Sequence, residues 1–292
     1  MQDLSKEEIY NLHLITEDAV KPLADLIDKN KEKSERYGTG YEIFDEAMDG
    51  GIKSGDLIII SGVSGQGKTS FAQSLTYNLC KNAIPTLWFS YEVSNEHLNR
   101  KFEKMGIKDF YHVFSPAKNT TGKLDWIKAK IREGWVKYAT KVVFIDHLDF
   151  LTPSSVRNSD NETIALKKIA TELKSLAIEL DVIIVAMAHL KKLPDNKEPD
   201  MQDIGYSAGI FQLADYVLIV MREKINGARA FGSSSDVNEI YSNNSIIKIV
   251  KNRETGQLKF IKCVYKDEKF IQLTDKYEDN EPNFKRTDYF QD

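Results

Sequence analysis

Short blocks of apolar residues alternate along this chain with longer stretches of helical period. The blocks at 57–60, 86–90, 141–145, 182–187 and 216–221 read as buried strands. Between them, 68–81 reads as a helix, and 107–140 as strand, loop and one helix that buries Trp126, Ile127, Ile131 and Trp135. Residues 164–180 form the strongest helical pattern, with Leu166, Ile169, Leu173, Leu176 and Leu180 on one face. Strands that alternate with helices predict an α/β fold around a mostly parallel sheet. The late segments 245–251, 257–265 and 270–273 are β-branched and follow one another closely, as an antiparallel edge meander would.

Outside this body the pattern weakens. Residues 3–34 read as a helical extension, with Ser5 and Glu8 as a capping box and Val20, Leu23 and Ile27 on one face after Pro22. Polar, turn-rich stretches at 152–162 and 191–206 read as loops, and the Ser/Asn/Gly-rich stretch 227–244 as a mobile one. Residues 274–292 carry acids in excess and no period, and read as a tail. The expected organisation is an extension over 1–37, one domain over 38–273 and an acidic tail over 274–292.

Chemistry enters at the end of the first strand. Gly62-Val63-Ser64-Gly65-Gln66-Gly67-Lys68-Thr69 fits G-x-x-x-x-G-K-[ST], with a strand before it and a helix after it. Such a loop turns backbone N–H groups toward phosphate oxygens and adds the positive end of a helix. Gly62, Ser64, Gly65, Gln66, Gly67, Lys68, Thr69 and Ser70 are therefore the expected nucleotide-binding residues, with Lys68 on the β and γ phosphates and Thr69 on Mg²⁺. Glu92 follows the second strand, at the edge where open α/β sheets bind ligand. Asp146 ends the next strand, where a P-loop protein needs a second group on the Mg²⁺ side; a helix cap or loop acid is the plainer alternative. His189 follows the fourth strand.

Composition narrows the class. With 40 Lys plus Arg against 44 Asp plus Glu, the net charge of −4 creates no global field for nucleic acid, so any such contact must come from local loops. Two cysteines, Cys80 and Cys263, are too few for a disulfide framework or a four-cysteine zinc site and suit a reducing cytosol. No apolar run approaches the ~20 residues of a membrane span. The expectation is a soluble cytoplasmic protein, in a bacterial or phage-infected cell, with no membrane contact.

The motifs in order resemble a known family. TGYEIFDEAMDGGIKSGDLIIISG, the P-loop, FSYEVS, VVFIDHLDFL, VIIVAMAHLKK, DIGYSAGIFQLADYVLIV and IVKNRETGQ, spanning 38–273, are similar to the ATPase domain of DnaB-type replicative helicases. DHLDFL and AHLKK look nearer to the ring helicases of phages and mitochondria than to the bacterial form. The resemblance implies a RecA-like P-loop NTPase core that binds ATP or another NTP with Mg²⁺. It also implies a homo-oligomer, a hexameric ring, moving 5′ to 3′ on single-stranded DNA beside a polymerase, primase or loader. Residue by residue it gives Glu92 the activation of the attacking water, Asp146 the metal and His189 the sensing of the γ-phosphate. Lys251 and Arg253 match the basic pair that reaches into a neighbour's site.

Two departures stand out. Where the bacterial family reads D-L-R-E-S-G, this chain has Asp203-Ile204-Gly205-Tyr206-Ser207-Ala208 and lacks that arginine. Tyr206 offers stacking, and Arg157, Lys191, Lys192 and Lys197 offer phosphate contacts; each serves equally as solvent decoration. Neither a helical collar nor a primase zinc site is legible, so a stand-alone helicase domain without primer synthesis is expected. The alternatives are a RecA/RadA or KaiC-like ATPase that does not unwind duplex, and a nucleotide-dependent loader with negligible turnover.

Overall fold

The computed structural model describes residues 35–107, 112–117, 124–152, 161–189, 208–224 and 241–273. The expected helix at 3–34, the loop residues 191–206 and the tail at 274–292 lie outside them. Ahead of the main sheet, β1 (Arg36–Tyr37) pairs antiparallel with β2 (Ile52–Lys53) around α1 (Glu42–Ala47). The main elements are β3 (Leu57–Gly62), α2 (Lys68–Lys81), β4 (Thr86–Ser90), α3 (Asn95–Met105), β5 (Val113–Phe114), α4 (Leu124–Tyr138), β6 (Val142–Asp146), α5 (Asn161–Glu179), β7 (Ile183–His189), α6 (Ala208–Leu213), β8 (Tyr216–Lys224), β9 (Tyr241–Asn252), β10 (Phe260–Lys266) and β11 (Lys269–Gln272). A short 3-10 turn, Leu148–Leu151, follows β6.

The strand order is β11-β10-β9-β8-β3-β7-β6-β4-β5. From β8 to β5 every pairing is parallel, and β9, β10 and β11 close the other side as an antiparallel meander. β3 lies in the middle with all its residues buried, which is why its run from Leu57 to Ile60 is continuously apolar rather than alternating. Its side chains alternate between two cores. Ile58 and Ile60 pack with Phe71, Leu75 and Leu79 of α2, while Leu57 and Ile59 pack with Leu173, Leu176 and Ala177 of α5. Each buried aliphatic side chain contributes about 1.5–3 kcal/mol, so the P-loop strand is anchored from both faces.

Several expectations need correction. Trp135 is 44% exposed, whereas Ile127, Ile131 and Gly134 face inward. Helix α4 approaches the sheet so closely that a Cβ on Gly134 would come within 3.0 Å of Leu87; the buried stripe therefore runs through position 134, and Trp135 is turned away by about 100°. The strand read from 245 begins at Tyr241, inside the stretch read as a mobile loop, because β8 extends to Lys224 and supplies partners such as Arg222 for Ser245. Helix α3 had no counterpart in the sequence reading. Ser94 caps it by accepting from the His97 N–H at 3.2 Å, Gly106 ends it at φ 89°, and Leu98, Phe102 and Met105 bury its face.

Candidate active site

Parallel pairing brings four strand ends to one edge. Gly62 on β3 is level with His189 on β7, and Ser90 on β4 is level with Asp146 on β6. The sheet order β3-β7-β6-β4 then sets the P-loop, His189, Asp146 and the residues after Ser90 side by side. This is the carboxyl edge at which open α/β sheets bind ligands.

Within the P-loop, Gly65 (φ 79°) and Gly67 (φ 97°) adopt the left-handed conformation that glycine tolerates, and Ser64 and Gly65 are exposed at the loop's tip. Gly67 is also close to Phe270, whose ring would lie 3.0 Å from a Cβ there. Gln66 is buried, and its Oε1 accepts from the Arg222 N–H at 2.6 Å. Ser70 Oγ accepts from Lys101 Nζ at 3.0 Å. Lys68 Nζ donates to the Gly62 carbonyl at 2.9 Å and the Val63 carbonyl at 3.2 Å, and lies 3.2 Å from His189 Nδ1. Burial lowers its pKa, against the charges of Glu92 and Asp146, which raise it.

Thr69 Oγ1 donates to Asp146 Oδ2 at 2.9 Å, so the two groups assigned to one metal are in contact. Burial pushes the Asp146 carboxyl up to about 6, despite the lowering effect of that hydrogen bond. Glu92 is exposed, and its Oε1 lies 3.1 Å from His147 Nε2 and 3.8 Å from His189 Nε2. His147 and His189 approach through their Nε2 atoms at 3.2 Å. Burial lowers the His189 pKa, and the adjacent Lys68 and His147 lower it further. His147 joins this cluster although its sequence position did not single it out. It stands inside DHLDFL, directly after Asp146, but a histidine beyond a strand end carries no local signal of what it will touch.

Lys251 and Arg253 do not join this cluster. Lys251 Nζ donates to the carbonyls of Phe211 at 2.5 Å and Gln212 at 3.0 Å; Arg253 donates to Asp215 Oδ1 at 3.2 Å and the Gln212 carbonyl at 2.6 Å. Asp215 in turn accepts from the Leu57 N–H at 2.8 Å and Lys174 Nζ at 2.5 Å. The basic pair is therefore level with the start of β3, and the P-loop with its end, about 16 Å away at ~3.3 Å per residue. The turn that carries it is held by Asn252, whose Nδ2 reaches the Ala47 carbonyl at 2.9 Å and whose Oδ1 accepts from the N–H groups of Glu254 and Thr255. The segment 203–207 and residues Arg157, Lys191, Lys192 and Lys197, named above for DNA contact, lie outside the described residues.

A P-loop leaving the central strand of a mostly parallel sheet, an aspartate on its threonine and an antiparallel meander on one edge together define a RecA-like P-loop NTPase. The chain belongs to the DnaB-like helicase family: the model of the DnaB-like helicase C terminal domain matches residues 37–108 and 112–273. Among similar curated proteins, the replicative DNA helicase DnaB of Rickettsia conorii is 26% identical over 273 residues, covering 77% of this chain and 54% of that protein. The replicative DNA helicase DnaB of Haemophilus influenzae is 28% identical over 262 residues, covering 76% and 54%. The chain thus spans about half the length of the curated relatives it matches. Two solved structures share the fold at 20% identity. One is a DnaB-like replicative helicase described with its interactions with primase, with TM-score 0.66 over 86% of this chain and 65% of that one. The other is the ATPase domain of G40P, with TM-score 0.65 over 86% and 96%.

Proposed function

We propose that this chain is the ATP-hydrolysing motor of a replicative DNA helicase, working as a hexameric ring that moves 5′ to 3′ on single-stranded DNA in the cytoplasm. Among the described residues no helix is long and apolar enough to cross a membrane. One observation carries the reading. Lys68, Thr69, Asp146, Glu92 and His189 meet at a single sheet edge, while Lys251 and Arg253 are held at the opposite end. A hydrolytic site needs cations on the transferring phosphoryl group, and the second pair can reach a γ-phosphate only if it belongs to an adjacent subunit.

The donor set fits Mg²⁺. A threonine hydroxyl and a carboxylate in contact are hard oxygen ligands, and a buried carboxyl raised to about 6 gains most from a cation. Bound there, Mg²⁺ would neutralise charge on the β and γ phosphates. Lys68 would exchange its carbonyl and His189 partners for phosphate oxygens, which frees His189 to respond to the γ-phosphate. Glu92 would orient the attacking water and accept its proton. Arg253 suits the role in trans because its planar fork binds phosphoryl oxygens bidentately and stays charged.

The experiment is strand displacement on a forked duplex with ATP and Mg²⁺, beside steady-state ATPase with single-stranded DNA. Unwinding is expected for the wild type, Lys68→Ala should lose nucleotide binding, and Glu92→Gln should keep binding but lose turnover. ATPase without unwinding would move the reading to a RecA/RadA or KaiC-like role, and near-wild-type turnover in Glu92→Gln would remove Glu92 as the base.

A further inference from the structure

Glu92, His147 and His189 bring their ligand atoms together at one point of the sheet edge. Lys68 carries donors only, so His189 Nδ1 turns its lone pair to the ammonium, and His189 Nε2 carries the proton. His147 Nδ1 is buried 3.2 Å from Asp149 Oδ2, in ion-pair range though not aligned as a hydrogen bond. That carboxylate favours a proton on Nδ1 and leaves His147 Nε2 with a lone pair. The lone pair meets the His189 N–H at 3.2 Å, but it also faces the Glu92 carboxylate, another acceptor, at 3.1 Å. In that neutral tautomer His147 Nε2 and Glu92 Oε1 face each other as two acceptors, which a shared cation would serve.

We propose that these three side chains form a binding site for a divalent cation of the Zn²⁺ class, distinct from the Mg²⁺ position at Thr69 and Asp146. Their ligand atoms all lie within 4.8 Å of one another. Zinc at ~2.0–2.2 Å from imidazole nitrogen and carboxylate oxygen needs ligands roughly 3.3–3.5 Å apart when tetrahedral. The observed separations of 3.1, 3.2 and 3.8 Å bracket that value. Two imidazoles and one carboxylate with a further position open to solvent make an open zinc-type set, whereas Mg²⁺ prefers oxygen ligands alone. Asp149 Oδ2, 3.2 Å from His147 Nδ1, stands where the outer carboxylate of a ligating imidazole would be. Glu92, with its side chain 41% exposed, gives the cation a way in.

Ligation at His189 Nε2 shifts that ring's proton to Nδ1. Lys68 then gives up His189 and keeps the Gly62 and Val63 carbonyls, which already accept from it. On the function proposed above, the occupant slows ATP turnover, because Glu92 and His189 cannot ligate the cation and serve the reaction together. The binding itself does not depend on that reading.

The test uses Co²⁺ as a visible stand-in for Zn²⁺, titrated into the nucleotide-free full chain without Mg²⁺. The wild type should develop the d–d bands of four-coordinate Co²⁺, and one equivalent of Zn²⁺ should bleach them. His147→Ala and His189→Ala should weaken Zn²⁺ binding on the order of 100-fold or more, beyond what loss of an outer-shell partner costs. Asp146→Asn should keep the bands. Circular dichroism checks folding, and His147→Gln replaces His147→Ala if that variant unfolds. No band in the wild type, a band that survives both histidine substitutions, or a thiolate charge-transfer band from Cys80 or Cys263 would overturn the site. In a second arm Zn²⁺ should slow wild-type ATPase at excess Mg²⁺, and a zinc-selective chelator should restore it; full turnover with Zn²⁺ bound would remove the inhibitory role. A chain that binds Co²⁺ as described but hydrolyses no ATP would sink the motor reading and leave the site standing.

Discussion

Glu254, within the KNRETG motif, serves the fold. Its carboxylate pairs with Arg36, accepts from Lys53 Nζ at 3.1 Å and from the Tyr216 hydroxyl at 3.1 Å, and so ties the turn after β9 to β1 and β2. The hydrogen bond from Arg36, opposed by partial burial and aided by Lys53, lowers its pKa to about 2 from an ordinary 4.5. A depressed carboxylate contributes stability that is complete above pH 4.5 and lost as pH falls through about 2. Solvent screening limits the contribution to about 1 kcal/mol. Urea unfolding of wild type and Glu254→Gln should therefore differ by that amount near neutral pH and converge as pH drops from 4.5 toward 2. A gap that stays constant with pH would mean the difference does not come from the charge of this carboxylate.

Among the elements, α4 separates what periodicity predicts from what contact decides. Its helical period is plain in the sequence, yet the inward face runs through Gly134 instead of Trp135. A Cβ on Gly134 would meet Leu87 Cδ2 at 3.0 Å and Thr140 Oγ1 at 3.1 Å. Gly134→Val should lower stability by about 1–3 kcal/mol through overpacking. Trp135→Ala, at an exposed position, should cost about 1 kcal/mol or less. Thermal midpoints of the two variants rank them directly, and the opposite order would rotate the helix back to the face that hydrophobicity suggests.

At the scale of the whole molecule, the division of charge between the two ends of the sheet predicts an assembly. Arg253→Ala should cut DNA-stimulated ATPase by roughly 10³ or more, as loss of an arginine finger does elsewhere, with ATP affinity little changed. Mixing Arg253→Ala with Glu92→Gln subunits should restore part of the activity, since some interfaces then join an intact Glu92 to an intact Arg253. Full-rate hydrolysis by an isolated monomer would end the argument for action in trans.

The amino-acid sequence by itself determined the parts whose physics is local. A buried strand, a glycine turn and a helix with Lys68 and Thr69 at its start are contiguous, so the P-loop was legible to the residue: the predicted helix 68–81 and strand 86–90 coincide with α2 and β4. Asp146 at the end of an apolar run was legible for the same reason, and so was the late antiparallel meander. Tertiary structure alone decided what depends on register and close approach. Strand pairing levels Gly62 with His189 and Ser90 with Asp146, and thereby brings His147 against Glu92 although 54 residues separate them in the chain. The antiparallel return of β9 carries Lys251 and Arg253 to the far end of the sheet from Lys68. Close packing of α4 on the sheet chose Gly134 over Trp135. Hydrophobic period specifies which residues seek the interior, but which of them meet is settled by how strands align and how closely helices can approach.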